Sequence, residues 1–502
     1  MVRFSWNFDT DCSALSQLAA ARRVFAGGLL ACSATLASAQ EAATPAVPVE
    51  VQESAVTATL TAEPVAAQAP VPVKVEAPAT TEESDKAEAP VVEVEAENEA
   101  LKKWREEQAE AAKSLQKVRE GAPFKQEKTI KLPAGEGSIL GFCVLKNGQL
   151  VAIAGKNERY GETSIVGAIA SAIGGATKAS PSKVVWLDTE GKVVTSAVLG
   201  FTPKAVNASP DGSVFVVGEG QIAHYGADGT LLAKSESPHL TEINAKRQEF
   251  ETDVMERHAE EVASYKEQVD NFKDALKELE AKPEADRTPR EKTSYFQTKS
   301  MVAAYEQMLT AKEKQTREQV IDGALTRLKE LHRVAVSDKD LFVVTHEATG
   351  YGFCVWRMTH DLKEPKKVIS KLSGCCGQMD VQIAGEGLAV AENSRHRVVL
   401  FDREGNNTKA FGETSRADVT KGFGGCCNPM NTCLDPKGCL LTSESNGLVK
   451  RYTVDGKFEE VLGAAKVTEG CKNSSIGISP EGTQLYYFDV EKGQILVLNR
   501  AA

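Results

Sequence analysis

The sequence predicts a mostly β protein, a six-bladed β-propeller that is closed by its own N-terminal strand and carries a long helical-hairpin insertion. Three observations indicate this fold class. Short apolar strands alternate with Gly-containing turns at a period of roughly 40–50 residues, which is typical of propeller blades. Six such units are expected, two in residues 124–239 and four in residues 333–500. A segment with a helical apolar repeat, residues 240–332, separates the second unit from the third.

The repeat is clearest when three segments are compared, residues 204–234, 378–411 and 429–462. Each has four apolar strands separated by turns, and alternating apolar residues between such turns are typical of β-hairpins. In each segment an aromatic residue lies four positions before a turn glycine. The three pairs are Tyr225 and Gly229, Phe401 and Gly405, and Tyr452 and Gly456.

Closure of the ring is predicted from the two ends of this repeat. The last unit has "TQLYYFD" and "QILVLN" as its second and third strands, but no fourth strand follows. An extra strand, residues 128–133, precedes the first unit and can supply the missing one. A ring closed in this way has no exposed sheet edge at the junction. The expected first strands are 139–145, 204–209, 333–337, 379–384, 430–435 and 474–479.

Two of the units carry a further motif. "ENSRHRVVLFDREG" (392–405) and "ESNGLVKRYTVDG" (444–456) both contain an acidic residue, a polar turn, basic residues and an apolar strand. The strand is followed by a glycine turn, which is D-x-x-G in the first stretch and T-V-D-G in the second. This pattern resembles NHL repeats and, more loosely, the six-bladed propellers of the senescence-marker-protein/gluconolactonase-like superfamily. The resemblance implies a propeller with a central channel that accepts ligands. It implies no single activity, because such propellers include lyases, lactonases and binding scaffolds.

The insertion at residues 240–332 is predicted to be a helical hairpin. Apolar residues recur at steps of three and four, which favours a coiled-coil seam, and two prolines in "KPEADRTP" (282–289) break the helix. Such an arm can pack on the propeller or support dimerisation. The first helix of the seam contains Val262, Tyr265, Val269, Phe272, Leu276 and Leu279, and the second contains Val302, Tyr305, Leu309, Ile321, Leu325 and Leu328.

Residues 1–39 are interpreted as a signal peptide. Arg22 and Arg23 precede a short apolar run, and Ala37-Ser38-Ala39 matches an A-x-A cleavage site. The run is too short to span a bilayer. We therefore expect an extracytoplasmic protein, periplasmic or secreted, cleaved near Ala39. Ordinary secretion is favoured, and twin-arginine export and lipoprotein anchoring at "LLAC" are the alternatives.

Residues 40–99 are rich in Ala, Pro, Val and Glu and are predicted to be a disordered linker, because they contain too few large apolar residues to offset the entropy of ordering. A solvated helix is expected at 100–121.

The formal net charge of −11 argues against a nucleic-acid partner. No segment after the signal peptide is apolar enough to be a transmembrane helix.

The cysteines supply the candidate site. Five of the eleven occupy one position of the repeat, eleven or twelve residues before a turn glycine (Gly387, Gly438 or Gly482). We expect this position to be a loop at the rim of the channel, with a candidate ligand-binding polar residue seven positions before each glycine. The cysteines are Cys375, Cys376, Cys426, Cys427 and Cys471, and the polar residues are Asp380, Asn431 and Ser475.

Three interpretations of the rim cysteines stay open. Disulfides, vicinal or between loops, fit an exported protein. A thiolate-bound metal or an iron–sulfur cluster fits thiols that converge from neighbouring blades. A thiol–disulfide redox role is the third. The chain contains no C-x-x-C spacing. A separate bridge across a hairpin is conceivable between Cys433 and Cys439.

The sequence favours an exported, non-enzymatic binding or interaction propeller with a Cys-rich channel rim. Its partner would be a protein or a small ligand, and no cofactor is assigned. No G-x-S-x-G, H-E-x-x-H or P-loop motif supports a specific reaction. One alternative is an enzyme with a metal or redox centre at the rim. Another is a scaffold that recruits partners through the helical arm.

Overall fold

The computed structural model of the 502-residue chain describes residues 99–156, 181–375, 379–415, 418–425, 427–468, 470 and 474–501. These residues belong to one structural unit, Val92–Ala502. The predicted signal peptide and the predicted linker up to residue 98 lie outside the described residues, as do Cys376, Cys426 and Cys471. Among the helices described, none is long and apolar enough to cross a membrane.

The described residues are mostly β and contain four separate four-stranded antiparallel sheets. Sheet 1 has β2 (Ser138–Val144), β3 (Leu150–Gly155), β4 (Lys183–Leu187) and β5 (Val193–Val198). Sheet 2 has β6 (Ala205–Ala208), β7 (Val214–Gly218), β8 (Gln221–Tyr225) and β9 (Leu231–Glu236). Sheet 3 has β10 (Arg333–Val336), β11 (Asp340–His346), β12 (Phe353–Thr359) and β13 (Lys366–Leu372). Sheet 4 has β14 (Asp380–Ala384), β15 (Gly387–Glu392), β16 (Arg397–Phe401) and β17 (Asn407–Phe411).

A fifth, eight-stranded sheet contains the remaining strands in the order β18-β19-β20-β21-β1-β24-β23-β22. Its strands are β1 (Phe124–Ile130), β18 (Asn431–Leu434), β19 (Leu440–Ser443), β20 (Leu448–Tyr452), β21 (Phe458–Ala464), β22 (Ile476–Ile478), β23 (Gln484–Asp489) and β24 (Gln494–Arg500). The most N-terminal strand, β1, lies antiparallel to the most C-terminal strand, β24, and touches β21 through the pair Phe124 and Gly463.

The position of β1 corrects one expectation. We predicted an N-terminal strand at 128–133, but β1 begins at Phe124 and ends at Ile130. Both end residues are buried, at 2% and 4% exposure, so they anchor the strand in the core. Pro133 lies beyond it and could not donate a ladder hydrogen bond.

The innermost strands contact one another in sequence: β2 with β6, β6 with β10, β10 with β14, β14 with β18, β18 with β22, and β22 with β2. Sheets that radiate from a ring of this kind form a β-propeller. Most of the core lies between neighbouring sheets, as where Trp186 of sheet 1 packs edge-on against Tyr225 of sheet 2.

Helix α1 (Glu99–Gly121) precedes the first strand. The insertion contains four α-helices: α2 (Pro238–Ala245), α3 (Arg247–Glu280), α4 (Pro289–Glu313) and α5 (Arg317–Leu328). The prediction of one continuous second helix is wrong, because Thr316 starts a new helix. Its side chain accepts a hydrogen bond from the Gln319 backbone, while the Gln319 side chain accepts from the Thr316 backbone, which is a capping box.

The arm formed by α3 and α4 has a root and a distal part. At the root, a buried apolar cluster joins α2, α3 and α5 to Ala348 in the loop after β11, and Asp253 of α3 accepts a hydrogen bond from Gly350 in the same loop at 3.1 Å. Farther out, Tyr305 packs against both Tyr265 and Phe272. The root is therefore fixed to the ring, whereas aromatic contacts hold the distal helices together.

Turn glycines contribute to the packing of one sheet on the next. Gly405 has φ +87°, and a Cβ at this position would lie 1.9 Å from the carbonyl oxygen of Val368 in sheet 3. Gly438 has a similar φ of +81°, but a Cβ there would meet no atom within 4 Å. Both glycines adopt a left-handed backbone conformation, but only at Gly405 would a side chain also collide with the neighbouring sheet.

We expect Gly405→Ala to lower the free energy of unfolding by about 2–5 kcal/mol, since a left-handed alanine and an overpacked interface both cost stability. Gly438→Ala is the matched control and should lose only about 1–2 kcal/mol. Urea denaturation of both variants checks the difference. Equal losses would show that crowding between the sheets is unimportant.

Candidate functional site

The innermost strands enclose a small central cavity of about 140 Å³. Asp380, Asn431 and Ser475, the three polar residues selected from the sequence, all line it. Asp380 and Asn431 are the first residues of β14 and β18, and Ser475 directly precedes β22. The same offset from a turn glycine therefore places the three side chains at corresponding points of three neighbouring inner strands.

Arg333, the first residue of β10, links Asp380 to Ser475 across the cavity. Its Nε lies 2.9 Å from Oδ1 of Asp380, and its Nη1 donates to Oγ of Ser475 at 3.4 Å. Its Nη2 also donates to the carbonyl oxygen of Ser474. The Arg333 side chain is 8% exposed and that of Asp380 1% exposed, so this is a buried ion pair.

Asp380 and Asn431 also form hydrogen bonds with other residues around the cavity. Asp380 Oδ2 accepts from the backbone N–H of Thr432 at 2.6 Å and from its hydroxyl at 3.1 Å. Asn431 Oδ1 accepts from Ser443 Oγ at 3.1 Å and from Ser474 Oγ at 2.7 Å. Asp380 and Asn431 therefore already have hydrogen-bond partners on neighbouring residues of the protein.

Burial and charge act against each other at the ion pair. Burial raises the pKa of Asp380, while the Arg333 guanidinium and the donors from Thr432 lower it. Burial also lowers the pKa of Arg333, and Asp380 opposes that shift. With an arginine at 2.9 Å, we treat both groups as charged at neutral pH, since close opposite charges favour the ionised forms.

Two further residues extend the network. Nδ2 of Asn207 donates to the carbonyl oxygen of Val334 at 3.0 Å and to Oε1 of Gln382 at 2.9 Å, so it joins sheets 2, 3 and 4.

Drug-sized ligands occupy pockets of about 300–1,000 Å³. The cavity is smaller than that and its acid is already paired, so its geometry favours a structural polar core over catalysis.

The sequence reasoning did not select Arg333. Its signal was a charged residue at the start of an otherwise apolar inner strand, "RVAV". A fully buried arginine requires an anionic partner. Asp380, at the start of the next inner strand, supplies it.

The structure describes two of the five rim cysteines, Cys375 and Cys427. Cys375 is partly exposed, and its backbone N–H donates to Oδ1 of Asn393 at 2.8 Å. Cys427 is buried, and the adjacent Asn428 accepts from the Ser445 backbone at 2.7 Å. Each loop is thus tied to the residues that follow the second strand of its own sheet.

Acidic residues at the ends of those second strands support the loops. Glu392 accepts from the Ser373 backbone at 3.3 Å and pairs with Arg397 at 2.6 Å. Glu444 pairs with Lys450, and both side chains are fully buried. Lys450 also donates to the carbonyl oxygen of Gly422 at 2.6 Å. The motif that resembles NHL repeats therefore places an acid–base pair beneath each cysteine loop.

Four other cysteines are free thiols: Cys143, Cys354, Cys433 and Cys439. Cys433 and Cys439 do not form the hairpin bridge considered above. Cys143 and Cys433 line the central cavity. Burial raises the pKa of Cys143 and of Cys354 to about 12, and it also raises that of Cys433. These protonated thiols serve as small apolar residues.

Within the described part of the chain, no group of three or more His, Cys, Asp or Glu side chains is arranged to hold a metal ion. Cys376, Cys426 and Cys471 fall outside that part. The interpretations of the rim cysteines as disulfides, as metal or cluster ligands, or as a redox pair therefore stay predictions.

Comparisons with known proteins concern the fold. No family model and no curated protein matches the chain. A calcium-binding protein, regucalcin, from Agrobacterium tumefaciens is 11% identical with a TM-score of 0.36, over 76% of this chain and 96% of that one. The Pan2 WD40 domain of Neurospora crassa is 7% identical with a TM-score of 0.34, over 76% and 96%. A protein of unknown function from Bacteroides caccae is 8% identical with a TM-score of 0.32, over 61% and 78%.

Proposed function

We propose that the chain is an exported, non-enzymatic interaction protein, built as a six-bladed propeller that β1 closes and that carries a coiled-coil arm. The observation that carries this proposal is the state of the central cavity. Arg333 pairs with Asp380, Asp380 accepts from Thr432, and Asn431 accepts from Ser474, and the cavity they line is not of substrate size. Binding is therefore assigned to the outside of the molecule.

The strand pairings support six blades. Sheets 1 to 4 supply four of them. The eight-stranded sheet supplies two more, β18–β21 and β22–β24 with β1, which meet only at one pair of residues. β1 pairs with β24 over almost its whole length, from Phe124 opposite Arg500 to Ile130 opposite Ile495. A fourth strand for the last blade thus comes from the start of the chain.

The arm is the surface best suited to a partner. Helix α3 has 34 residues, which corresponds to about 50 Å at 1.5 Å per residue. Helix α4 carries three large apolar side chains that are exposed, Phe296, Met301 and Met308. Aromatic residues and methionines are enriched in protein interfaces. We therefore assign the arm a protein partner.

Photo-crosslinking in the native host tests this assignment. A photoreactive amino acid replaces Phe296 or Met308 on the arm in two separate variants. Control variants carry it at Val198 or Leu232, which are exposed large apolar residues on the outer strands of sheets 1 and 2. We expect the arm positions to give one discrete crosslinked protein and the ring positions to give none.

The opposite outcomes are also informative. If only the ring positions give crosslinks, the interaction surface lies on the ring and not on the arm. If no position gives a discrete crosslink, the arm is not an interaction surface. Stoichiometric metal or iron–sulfur clusters that are lost on replacing Cys375 and Cys376 would favour the enzyme alternative at the channel rim.

A further inference from the structure

Two histidines that belong to neither the cavity nor the cysteine loops meet at the root of the arm. His332 precedes β10, and His346 is the last residue of β11. Their Nε2 atoms are 2.9 Å apart, and the two rings are perpendicular. Phe353 contacts both rings, at centroid distances of 5.0 Å from His332 and 4.7 Å from His346. The aromatic ring of Phe353 therefore packs against both histidines.

Two imidazole nitrogens at this distance share one hydrogen bond. One nitrogen must carry a hydrogen and the other must present its lone pair. The ring of His346 also forms a hydrogen bond with the backbone of Gly352. Histidine ligands of metals usually donate their second ring nitrogen to such a backbone or carboxylate group.

The histidines line a pocket of about 330 Å³ between the arm and sheet 3. Glu330 and Glu347 also line it, and so do Arg257 and Arg327. Arg257 is paired with Asp253 of its own helix at 2.8 Å. Glu330 is paired with Lys204 at 3.8 Å. The pocket therefore has room for waters or a small ligand next to the two rings, with a carboxylate nearby.

We propose that His332 and His346 bind a divalent transition-metal ion, such as Zn²⁺ or Cu²⁺, through their Nε2 atoms. A zinc–nitrogen bond is about 2.0–2.1 Å long, so two imidazoles in tetrahedral geometry place their nitrogens roughly 3.3 Å apart. The observed 2.9 Å needs only a small opening of the pair. The hydrogen between the two Nε2 atoms would pass to solvent, and the ring that carried it would take up a hydrogen at Nδ1, so that both Nε2 lone pairs face the ion.

The protein supplies two ligands to this site. No third His, Cys, Asp or Glu side chain of the described residues is already in place beside the pair. Waters or donor atoms of a small ligand in the pocket complete the coordination. Imidazole ligands select ions such as zinc and copper over magnesium and calcium, which prefer oxygen. The site is separate from the exposed residues of α4 and does not depend on the proposed partner.

Copper-detected electron paramagnetic resonance of the EDTA-treated full chain tests the proposal, after accessible thiols are alkylated. One equivalent of Cu²⁺ should give a spectrum with coupling to two imidazole nitrogens. His332→Gln and His346→Gln should each remove one nitrogen. Equilibrium dialysis with Zn²⁺ should show that either change weakens binding by more than about 100-fold, beyond the loss typical of second-shell changes.

His360→Gln is the matched control. His360 lies beyond the opposite end of the β11–β12 hairpin and bonds to the carbonyl oxygen of Ser337, so its replacement should leave the spectrum and the affinity unchanged. A wild-type copper spectrum without two nitrogens would overturn the proposal, and this outcome needs no variant to fold. Unchanged zinc affinity in His346→Gln, or equal binding of Mg²⁺, would overturn it as well.

Discussion

Replacing Arg333 by methionine is expected to lower the free energy of unfolding by about 3–5 kcal/mol at neutral pH. The change leaves the carboxylate of Asp380 buried at 1% exposure with no cationic partner, and breaking one side of a buried ion pair has costs of this size. It also removes the hydrogen bonds from Arg333 to Ser474 and Ser475, which directly precede β22. Urea denaturation followed by tryptophan fluorescence measures the effect.

The double variant Arg333→Met with Asp380→Asn is the control, because an amide oxygen can still accept from Thr432 while no charge stays buried. We expect it to be more stable than Arg333→Met alone. The sign of the pH dependence follows from burial, which raises the pKa of Asp380. Without Arg333 the folded state favours the protonated acid, so the loss in the single variant should shrink as the pH falls towards the raised pKa. A single-variant loss below about 1 kcal/mol would show that the ion pair does not hold the inner strands together.

Removing residues 1–131 is expected to abolish cooperative unfolding and to cause aggregation. The truncation deletes β1, exposes the ladder groups of β24 and uncovers the cores that Phe124 and Ile130 fill. Burial of one such side chain contributes about 1.5–3 kcal/mol, and an unpaired edge strand invites association. Size-exclusion chromatography and urea titration measure both effects.

Two comparisons isolate the strand from the rest of the N-terminal region. A chain starting at Glu99 keeps α1 and β1 and should behave as a monomer with unchanged stability. A chain starting at Ala122 loses α1, whose Leu115 and Val118 pack on a small cluster, and should be weakened but still cooperative. A synthetic peptide of residues 122–132 should rescue the long truncation by strand addition. A soluble, cooperative protein without β1 would contradict its proposed closing role.

The sequence predicted the strand pattern well because that pattern is local. Alternating apolar residues between D-x-x-G turns specify a hairpin without reference to the rest of the chain. The expected inner strand at 430–435, for example, is β18 at Asn431–Leu434. The equal spacing from the turn glycines also indicated which polar residues share one cavity, namely Asp380, Asn431 and Ser475.

What the sequence could not supply depends on contacts between distant segments. Asp380 was a candidate ligand residue until Arg333, from the preceding sheet, was seen beside it. His346 showed no useful spacing in the sequence, because its partner His332 reaches it only when β10 and β11 pair in their particular register. The break before Thr316 has a local signal, since Thr316 and Gln319 match a capping-box pattern, but the continuing apolar periodicity concealed it.

The position of β1 has a consequence for the time course of synthesis. Glu127 and Asn499, which hydrogen-bond across β1 and β24, are 372 residues apart in the chain. At about 5–20 residues per second, a ribosome needs roughly 20–75 s to make the intervening segment. Throughout that interval the first strand has been made and its partner does not yet exist. Slower translation lengthens this interval, so a codon change far from β1 could alter how much of the protein acquires the pairing of β1 with β24.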